Sequence, residues 1–317
     1  MERNKSFIWS QAGLIVLLVL GSILSLGLMI PVRPTVFTNK IEKDISDKNS
    51  ITTEVETQKR VEKFRLAMLS TWQKQALEKG LAYNIPKRFR GVTINQAKVP
   101  SRKKLIALTF DDGPWDNYTR EILDILKEHQ VKATFFVLGQ ALKNKPDMGR
   151  RIVSDGHVIA NHTWNHRYHY HNPKTAASEI DRSSELIYKT TGVKTTLFRP
   201  PGGILNNGLV AYAKKKNYTV VMWSADSNDY KRPSVGTLVN SVVRQSTPGG
   251  IILLHDGGGN RSRTVESLVP MIQILKEQGY TFATIPELLE AEEQERKLGK
   301  SRKKKSPQPQ GKSKKTS

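Results

Sequence analysis

Short apolar runs alternate with amphipathic stretches along the chain from Leu105 onward. Apolar runs of about four to eight residues between turn residues are typical of buried strands, and apolar positions three and four apart are typical of helices. The pattern predicts strands over 105–110, 133–137, 157–160, 196–199, 219–223, 251–255 and 280–284. It predicts helices near 117–129, 174–190, 206–217, 234–245 and 264–278. This alternation indicates a parallel α/β architecture, either a barrel or a doubly wound sheet.

The first apolar run, Ala12 to Ile30, is of a different kind, because its only polar side chains are Ser22 and Ser25. At 1.5 Å per residue, a helix of this length spans nearly the ~30 Å of a bilayer core. It is longer than the apolar region of a cleavable signal peptide, and two basic residues precede it. We therefore expect residues 1–31 to form a cytoplasmic tip and a transmembrane helix. The rest of the chain is then extracytoplasmic, or secreted if the segment is cleaved.

Three further segments flank or complete the predicted α/β domain, which covers residues 104–290. Residues 32–51 are polar and interrupted by Pro34, which predicts a linker. Residues 52–103 are predicted to be a stem helix and a lead-in, because a capping-box spacing is followed by apolar residues at helical spacing, namely Val61, Phe64, Met68 and Trp72. Residues 291–317 end without any apolar side chain to bury, and we expect a disordered basic tail.

Composition narrows the class of protein. Apolar residues make up 37% of the chain and charged residues 25%, which excludes global disorder. The absence of cysteine excludes disulfides, thiolate metal ligands and cysteine nucleophiles. The formal net charge is +22, and residues 296–317 alone hold ten Lys or Arg and no acidic residue. Such a tail is either simply solvated or adheres to an anionic wall or lipid surface, and without aromatic residues it does not indicate a nucleic-acid partner.

Ionisable residues cluster at the carboxyl ends of the predicted strands. They are Asp111 and Asp112 in LTFDDGP, His162 and His166 in NHTWNH, Arg199 in FRPPGG, Asp226 and Asp229 in WSADSNDY, and His255 in LLHDGGG. Parallel α/β proteins carry their active sites at this edge of the sheet. Chance placement would scatter such residues over both ends, so the distribution predicts an enzyme.

His162 and His166 are four residues apart, so one helical turn or a tight loop directs both imidazoles to the same side. Together with one carboxylate they form a ligand set suited to zinc, and also to cobalt, nickel or iron. The alternative is a His-rich surface loop, because His169 and His171 follow at once, and such loops bind metal adventitiously.

The adjacent carboxylates of Asp111 and Asp112 favour a built site. In an extended strand they point to opposite sides and need different partners. Both stay ionised only if one meets a metal and the other an arginine, and Arg199 is available. A divalent ion, a carboxylate base and a histidine acid together predict metal-assisted hydrolysis of an amide or ester.

The motifs LTFDDGP, HTWNH, RPPGG, DSNDY and LLHDGGG, in this order, resemble the five motifs of the polysaccharide deacetylases with a NodB-homology domain (carbohydrate esterase family 4). The resemblance covers about Leu105 to Glu290. It implies a distorted (β/α) barrel of about seven parallel strands and hydrolysis of N-acetyl or O-acetyl groups on a polysaccharide. Position by position, it implies that Asp112, His162 and His166 bind one divalent metal ion.

The resemblance also implies the proton-transfer groups, with Asp111 as general base and His255 as general acid. It implies that Arg199 orients the base and that Asp229 pairs with the acid. The chain departs from the family at two places: Gly202 stands where many members have Tyr, and Tyr230 stands where Trp is usual. The backbone N–H of Gly202 can still serve the oxyanion and Tyr230 still offers an aromatic wall, so the departures bear on substrate choice.

Three hypotheses about function follow. The first is a membrane-anchored deacetylase of a polysaccharide that contains N-acetylglucosamine, with peptidoglycan as the polymer. The second is an O-acetyl esterase or a deacetylase of another polymer, such as chitin oligomers, xylan or an exopolysaccharide. The third is a catalytically silent protein that binds the cell wall.

Overall fold

The computed structural model describes residues 56–64 and 82–305. The chain divides into two units, residues 1–66 and 67–317. In the first unit residues 56–64 form a helix with exposed side chains, within the segment for which a stem helix was predicted. The predicted transmembrane helix and linker lie outside the described residues. Within the described ranges, no helix is both long and apolar enough to cross a membrane.

The second unit is built on one parallel sheet. Its strands are β1 (Thr93–Ile94), β2 (Leu105–Asp111), β3 (Thr134–Val137), β4 (Val158–Asn161), β5 (Leu197–Phe198), β6 (Thr219–Val221), β7 (Ala225–Asp226), β8 (Gly250–His255) and β9 (Thr281–Phe282). The spatial order is β1-β6-β5-β4-β3-β2-β8-β7, and β9 pairs with β2. Because β1 and β7 are edges, the predicted distorted barrel is an open, curled sheet. All seven predicted strands are present, and β1 and β7 are additional.

Helices follow most strands and cover the sheet. They are α1 (Asp116–Glu128), α2 (Gly139–Asn144), α3 (Pro146–Ser154), α4 (Pro173–Thr191), α5 (Leu209–Lys215), α6 (Val235–Gln245), α7 (Ser262–Glu277) and α8 (Ile285–Lys305). The five predicted helices correspond to α1, α4, α5, α6 and α7. The short helices α2 and α3 were not predicted.

Helix α8 corrects the predicted domain boundary. Residues 291–305 are helical, where disorder was expected. The first turns bury Leu288 and Leu289 in a core cluster. Further along, Glu292 and Glu293 are nearly buried and pair with Arg88 at 2.5 and 2.9 Å. Apolar packing and ion pairs therefore hold the start of this segment in a helix, and residues 306–317 lie outside the described part of the chain.

Strand β2 sets the two faces of the sheet. Ile106, Leu108 and Phe110 pack into the cluster shared with the surrounding helices, and Ala107 lies in the cluster on the opposite face. Side chains alternate along a strand, so Thr109 and Asp111 point to the same face as Ala107. This alternation, with Asp111 as the last residue of β2, delivers a carboxylate to the carboxyl edge of the sheet.

Candidate active site

Asp111 is held by an arginine from the end of another strand of the sheet. Arg199 follows β5 and is fully buried, and its Nη1 donates hydrogen bonds to Asp111 Oδ1 at 2.7 Å and to Thr109 Oγ1 at 2.9 Å. Its Nε donates to the Val221 carbonyl at 2.9 Å. Burial lowers the pKa of Arg199, and the charge of Asp111 opposes this effect. The guanidinium of Arg199 thus fixes the orientation of the Asp111 carboxylate.

Asp112 leaves the strand direction. Its φ of 76° lies in the left-handed region, which a non-glycine residue adopts at a cost of about 1–3 kcal/mol. The two carboxylates therefore share one site: Asp111 Oδ2 and Asp112 Oδ1 lie 3.7 and 3.5 Å from His162 Nε2. The side chains would point to opposite sides only in a continued strand, and the extended backbone ends at Asp111.

The second motif forms a tight loop rather than a helical turn. Thr163 and His166 both have positive φ, 74° and 57°. Buried Glu179 from α4 anchors the loop, since its Oε2 accepts hydrogen bonds from the backbone N–H groups of Trp164 and Asn165 at 3.0 and 2.8 Å. This anchoring orients the two histidines, whose rings lie 5.0 Å apart.

Three donor atoms converge in this loop and at the end of β2. One atom each from Asp112, His162 and His166 lie within 4.8 Å of one another. The Nδ1–H of His162 donates to the Arg199 carbonyl at 2.7 Å, which leaves the lone pair of its Nε2 facing the cluster. Asp112 Oδ1 is buried and has no hydrogen-bond partner in the described residues.

The donor set fits a divalent metal ion. Two imidazoles and one carboxylate are ligands of catalytic zinc sites, and a buried carboxylate oxygen without a hydrogen bond is an available ligand. Burial alone raises the pKa of Asp112, but the nearby imidazoles of His162 and His166 lower it well below its ordinary value. The carboxylate is therefore ionised at neutral pH, as a ligand must be.

His255 forms the opposite side of the site together with Asp229. Its Nδ1–H donates to Asp229 Oδ1 at 2.7 Å, and its backbone N–H donates to Asp229 Oδ2 at 2.8 Å. Thr264 Oγ1 also donates to Asp229 Oδ2 at 2.8 Å. Burial lowers the pKa of His255, but the hydrogen bond and charge of Asp229 outweigh burial and raise it to about 8. His255 is therefore protonated at neutral pH.

These groups face one cleft of about 790 Å³. Gly202 and Tyr230, the two positions at which the chain departs from the family pattern, also line it. The ring of Tyr230 lies edge-on to the His255 ring, with centroids 5.8 Å apart. The structure thus brings together all nine residues that the sequence predicted for the site: Asp111, Asp112, His162, His166, Arg199, Gly202, Asp229, Tyr230 and His255.

Sequence reasoning missed several residues that support the site. Asp256 is buried, and its carboxylate accepts hydrogen bonds from the Gly113 N–H at 3.1 Å and the Thr119 hydroxyl at 2.6 Å, which fixes the turn after Asp112. The sequence signal that could have identified Asp256 was its position directly after His255. No sequence signal marked Glu179, because it lies within an ordinary amphipathic helix.

The open parallel sheet carries the Asp112, His162, His166 cluster, the Arg199–Asp111 pair and the Asp229–His255 pair at its carboxyl edge. This is the arrangement of a metal-assisted hydrolase. The family model described as "Polysaccharide deacetylase" matches residues 98–221. A peptidoglycan-N-acetylglucosamine deacetylase of Bacillus cereus is 39% identical over 194 residues, which are 61% of this chain and 91% of that protein. The chain belongs to the polysaccharide deacetylase family.

Solved structures agree with this assignment. The crystal structure of the Bc1960 peptidoglycan N-acetylglucosamine deacetylase matches with a TM-score of 0.59 at 37% identity, covering 63% of this chain and 94% of that one. Wild-type BA3943 of Bacillus anthracis, described as a pseudoenzyme of the same family, matches with a TM-score of 0.57 at 33% identity, covering 62% and 68%. Catalytic competence therefore depends on the residues of each site.

Proposed function

We propose that the chain hydrolyses the N-acetyl group of N-acetylglucosamine residues in peptidoglycan with one divalent ion, zinc by preference. The observation that carries the proposal is the presence in one cleft of the ligand cluster, the Arg199–Asp111 pair and the Asp229–His255 pair. The similarity to peptidoglycan deacetylases supports the choice of polymer. When bound by Asp112, His162 and His166, the ion supplies a Lewis acid that polarises the acetyl carbonyl and lowers the pKa of a water molecule.

The chain's own residues move the protons. Asp111 accepts the proton of the attacking water, because Arg199 holds one carboxylate oxygen and the other faces the ligand cluster, 3.7 Å from His162 Nε2. The backbone N–H of Gly202, in the cleft wall, donates to the oxyanion. His255 then gives the proton on Nε2 to the departing amine, which leaves as the free amino sugar. The water proton and the amine proton therefore belong to opposite sides of the cleft.

Product analysis tests this proposal. The purified full-length chain, loaded with zinc, is incubated with peptidoglycan and with chitin oligomers, and acetate and free amine are measured. Equimolar acetate and amine, lost in Asp111→Asn, is the expected result. Acetate without amine would assign the chain as an O-acetyl esterase. No product from any polymer, with metal bound, would leave the silent wall-binding protein as the correct hypothesis.

We further propose that the catalytic domain acts outside the cytoplasm, anchored by residues 12–30. The apolar composition of that segment and a substrate in the cell wall support this location. Protease added to intact protoplasts should digest the domain in the wild-type chain and spare a variant with residues 1–31 deleted. Protection of the wild-type domain would contradict export.

A further inference from the structure

Tyr168 lines the active-site cleft, although none of the motifs includes it. Its side chain is 56% exposed, and its ring lies edge-on to the His166 ring, with centroids 5.1 Å apart and planes at 79°. A large aromatic ring that stays more than half exposed in a cleft loses the free energy of burial unless a ligand covers it. Because Tyr168 lies beside the metal-binding residue His166, the molecule that covers its ring is the substrate.

Backbone contacts hold the loop that carries Tyr168. The Asn207 side chain donates a hydrogen bond to the Tyr168 carbonyl at 3.4 Å, and the Asn207 carbonyl accepts one from the His171 N–H at 2.7 Å. Gly208 approaches so closely that a Cβ there would lie 2.0 Å from the His171 carbonyl oxygen. Two loops are therefore packed backbone against backbone, so the backbone that carries Tyr168 is held in place, which lowers the entropy cost of binding.

The ring of Tyr168 also occupies the space beside Gly202. A Cβ at position 202 would lie 2.7 Å from Tyr168 Cε1, closer than a carbon contact allows, and the φ of Gly202 is +59°. The present position of the Tyr168 ring and a side chain at position 202 therefore exclude each other. The glycine that removes an aromatic ring from the third motif makes room for the ring of Tyr168, two residues after the second motif.

Tyr230 is a second exposed aromatic residue, on the other side of the cleft. It is 46% exposed and edge-on to His255, so Tyr168 presents an exposed ring beside a metal ligand and Tyr230 presents one beside the general acid. The flat C–H face of a pyranose ring is apolar and matches the face of an aromatic ring. We infer that Tyr168 is a specificity-determining residue whose exposed ring packs against a pyranose ring of the bound polysaccharide, in the place that a side chain at position 202 would take. This inference rests on the proposed function.

Binding measurements test the inference independently of turnover. Calorimetry with a chitin tetramer and the zinc-loaded full-length chain, in the Asp111→Asn background, should give an affinity about tenfold weaker after Tyr168→Ala and within about twofold after Tyr168→Phe. Tyr170→Ala is the matched control, because Tyr170 lies in the same loop, is 72% exposed and is not among the residues that line the cleft. It should bind like the parent.

Kinetics with Asp111 intact separate sugar contact from an effect on the metal. Tyr168→Ala should raise KM about tenfold while changing kcat less than about threefold, with the zinc content unchanged. Unchanged tetramer affinity in Tyr168→Ala would overturn the inference. A fall in kcat and zinc content at constant KM would also overturn it, because Tyr168 would then act only through His166.

A double-mutant cycle tests the exclusion between positions 168 and 202. Gly202→Ala should weaken tetramer binding more in the parent, where it displaces the Tyr168 ring, than in Tyr168→Ala, where only the backbone strain at a φ of +59° remains. Equal losses in the two backgrounds would contradict the exchange. Tetramer binding that depends on Tyr168 without any acetate release would refute the proposed function and keep the inference. No tetramer binding by the parent would refute the inference, whether or not peptidoglycan releases acetate.

Discussion

The guanidinium of Arg199 and the carboxylate of Asp111 form a buried ion pair, with Nη1 and Oδ1 2.7 Å apart. Burial of two charges costs several kcal/mol per ion unless hydrogen bonds replace the lost water. Arg199 meets this condition, because it also donates to Thr109 Oγ1 and to the carbonyls of Val221 and Met222. The pair is therefore a device that fixes the direction of a reactive carboxylate rather than a simple source of stability.

Replacement of Arg199 should lower both the stability and the activity, because Asp111 depends on this arginine for its charge partner and its orientation. Arg199→Ala leaves the Asp111 charge buried without its partner and should lower the free energy of unfolding by about 3–5 kcal/mol, measured by urea denaturation. Arg199→Lys keeps the charge but cannot reach the same set of acceptors, so it should fold and still lose most of the deacetylase activity.

The control for this prediction is an exposed ion pair. Lys216 lies 3.2 Å from Asp181, and both side chains are more than 40% exposed. Lys216→Ala should therefore cost no more than about 1 kcal/mol. Equal losses of stability in Arg199→Ala and Lys216→Ala would contradict the buried-pair argument.

The pH dependence of turnover should report His255. Burial lowers the pKa of His255 and Asp229 raises it to about 8, so the acid form is present below that pH and is lost as the pH rises through it. The catalytic rate should fall on the alkaline side with an apparent pKa near this value. Asp229→Asn removes the charge that raises the pKa, so the alkaline limb should move to lower pH. An unmoved limb would mean that another group is the acid.

Zinc binding should require His166 but not His169. His166 offers a donor atom to the ligand cluster, whereas His169 stacks on His171 and does not line the cleft. After dialysis, His166→Ala should lose the zinc, and His169→Ala should retain one ion per chain, measured by elemental analysis. Chelation should abolish acetate release and added zinc should restore it. Equal zinc loss in both variants would favour adventitious binding by a His-rich loop.

The sequence predicted most of the sheet and the set of residues at its edge. Long buried strands such as β2 and β8 give continuous apolar runs, and a reactive residue at the end of each run is visible without coordinates. Strands β1 and β7 have two residues each and were not predicted, although β5 and β9, which are equally short, were. The ionic contacts of helix α8 with Arg88 depend on tertiary structure, so the acidic start of that segment was read as part of a tail.

The sequence predicted which residues form the site better than it predicted how they are arranged. The positive φ of Asp112 and His166 breaks the regular backbone that the spacing argument assumed. Glu179 acts on a loop that lies 14 and 15 residues away in the chain, and no local pattern marks such a contact. Tyr168 lies two residues after the second motif and Gly202 lies in the third, so the exclusion between the Tyr168 ring and a side chain at position 202 is visible only in three dimensions.

Asp256 should support the metal site without touching it. Its carboxylate holds the turn after Asp112 through the Gly113 N–H and the Thr119 hydroxyl. Asp256→Ala leaves both donors without their buried acceptor, which should cost about 1–3 kcal/mol of stability and weaken zinc affinity about 10- to 100-fold. Asp256→Asn keeps an acceptor and should stay closer to the wild type. Unchanged zinc affinity in Asp256→Ala would show that the turn holds its shape without this side chain.

His157, which directly precedes β4 and is buried, should make the free energy of unfolding fall in mild acid. Its Nδ1 accepts a hydrogen bond from the Ala133 N–H at 3.1 Å, which requires the neutral ring. Burial, with the charges of Lys132 and Arg151, lowers its pKa from 6.5 to about 4. The folded state therefore binds fewer protons than the unfolded state between these values, so the stability is present above pH 6.5 and is lost as the pH falls towards 4.

The expected loss over that window is about 3 kcal/mol, measured as the free energy of unfolding in urea at successive pH values. His157→Asn is the matched variant, because its side-chain oxygen can accept the Ala133 N–H and does not titrate. The free energy of unfolding of His157→Asn should fall less steeply than that of the wild type between pH 6.5 and 4. Parallel curves for the two proteins would show that His157 does not resist protonation in the folded state.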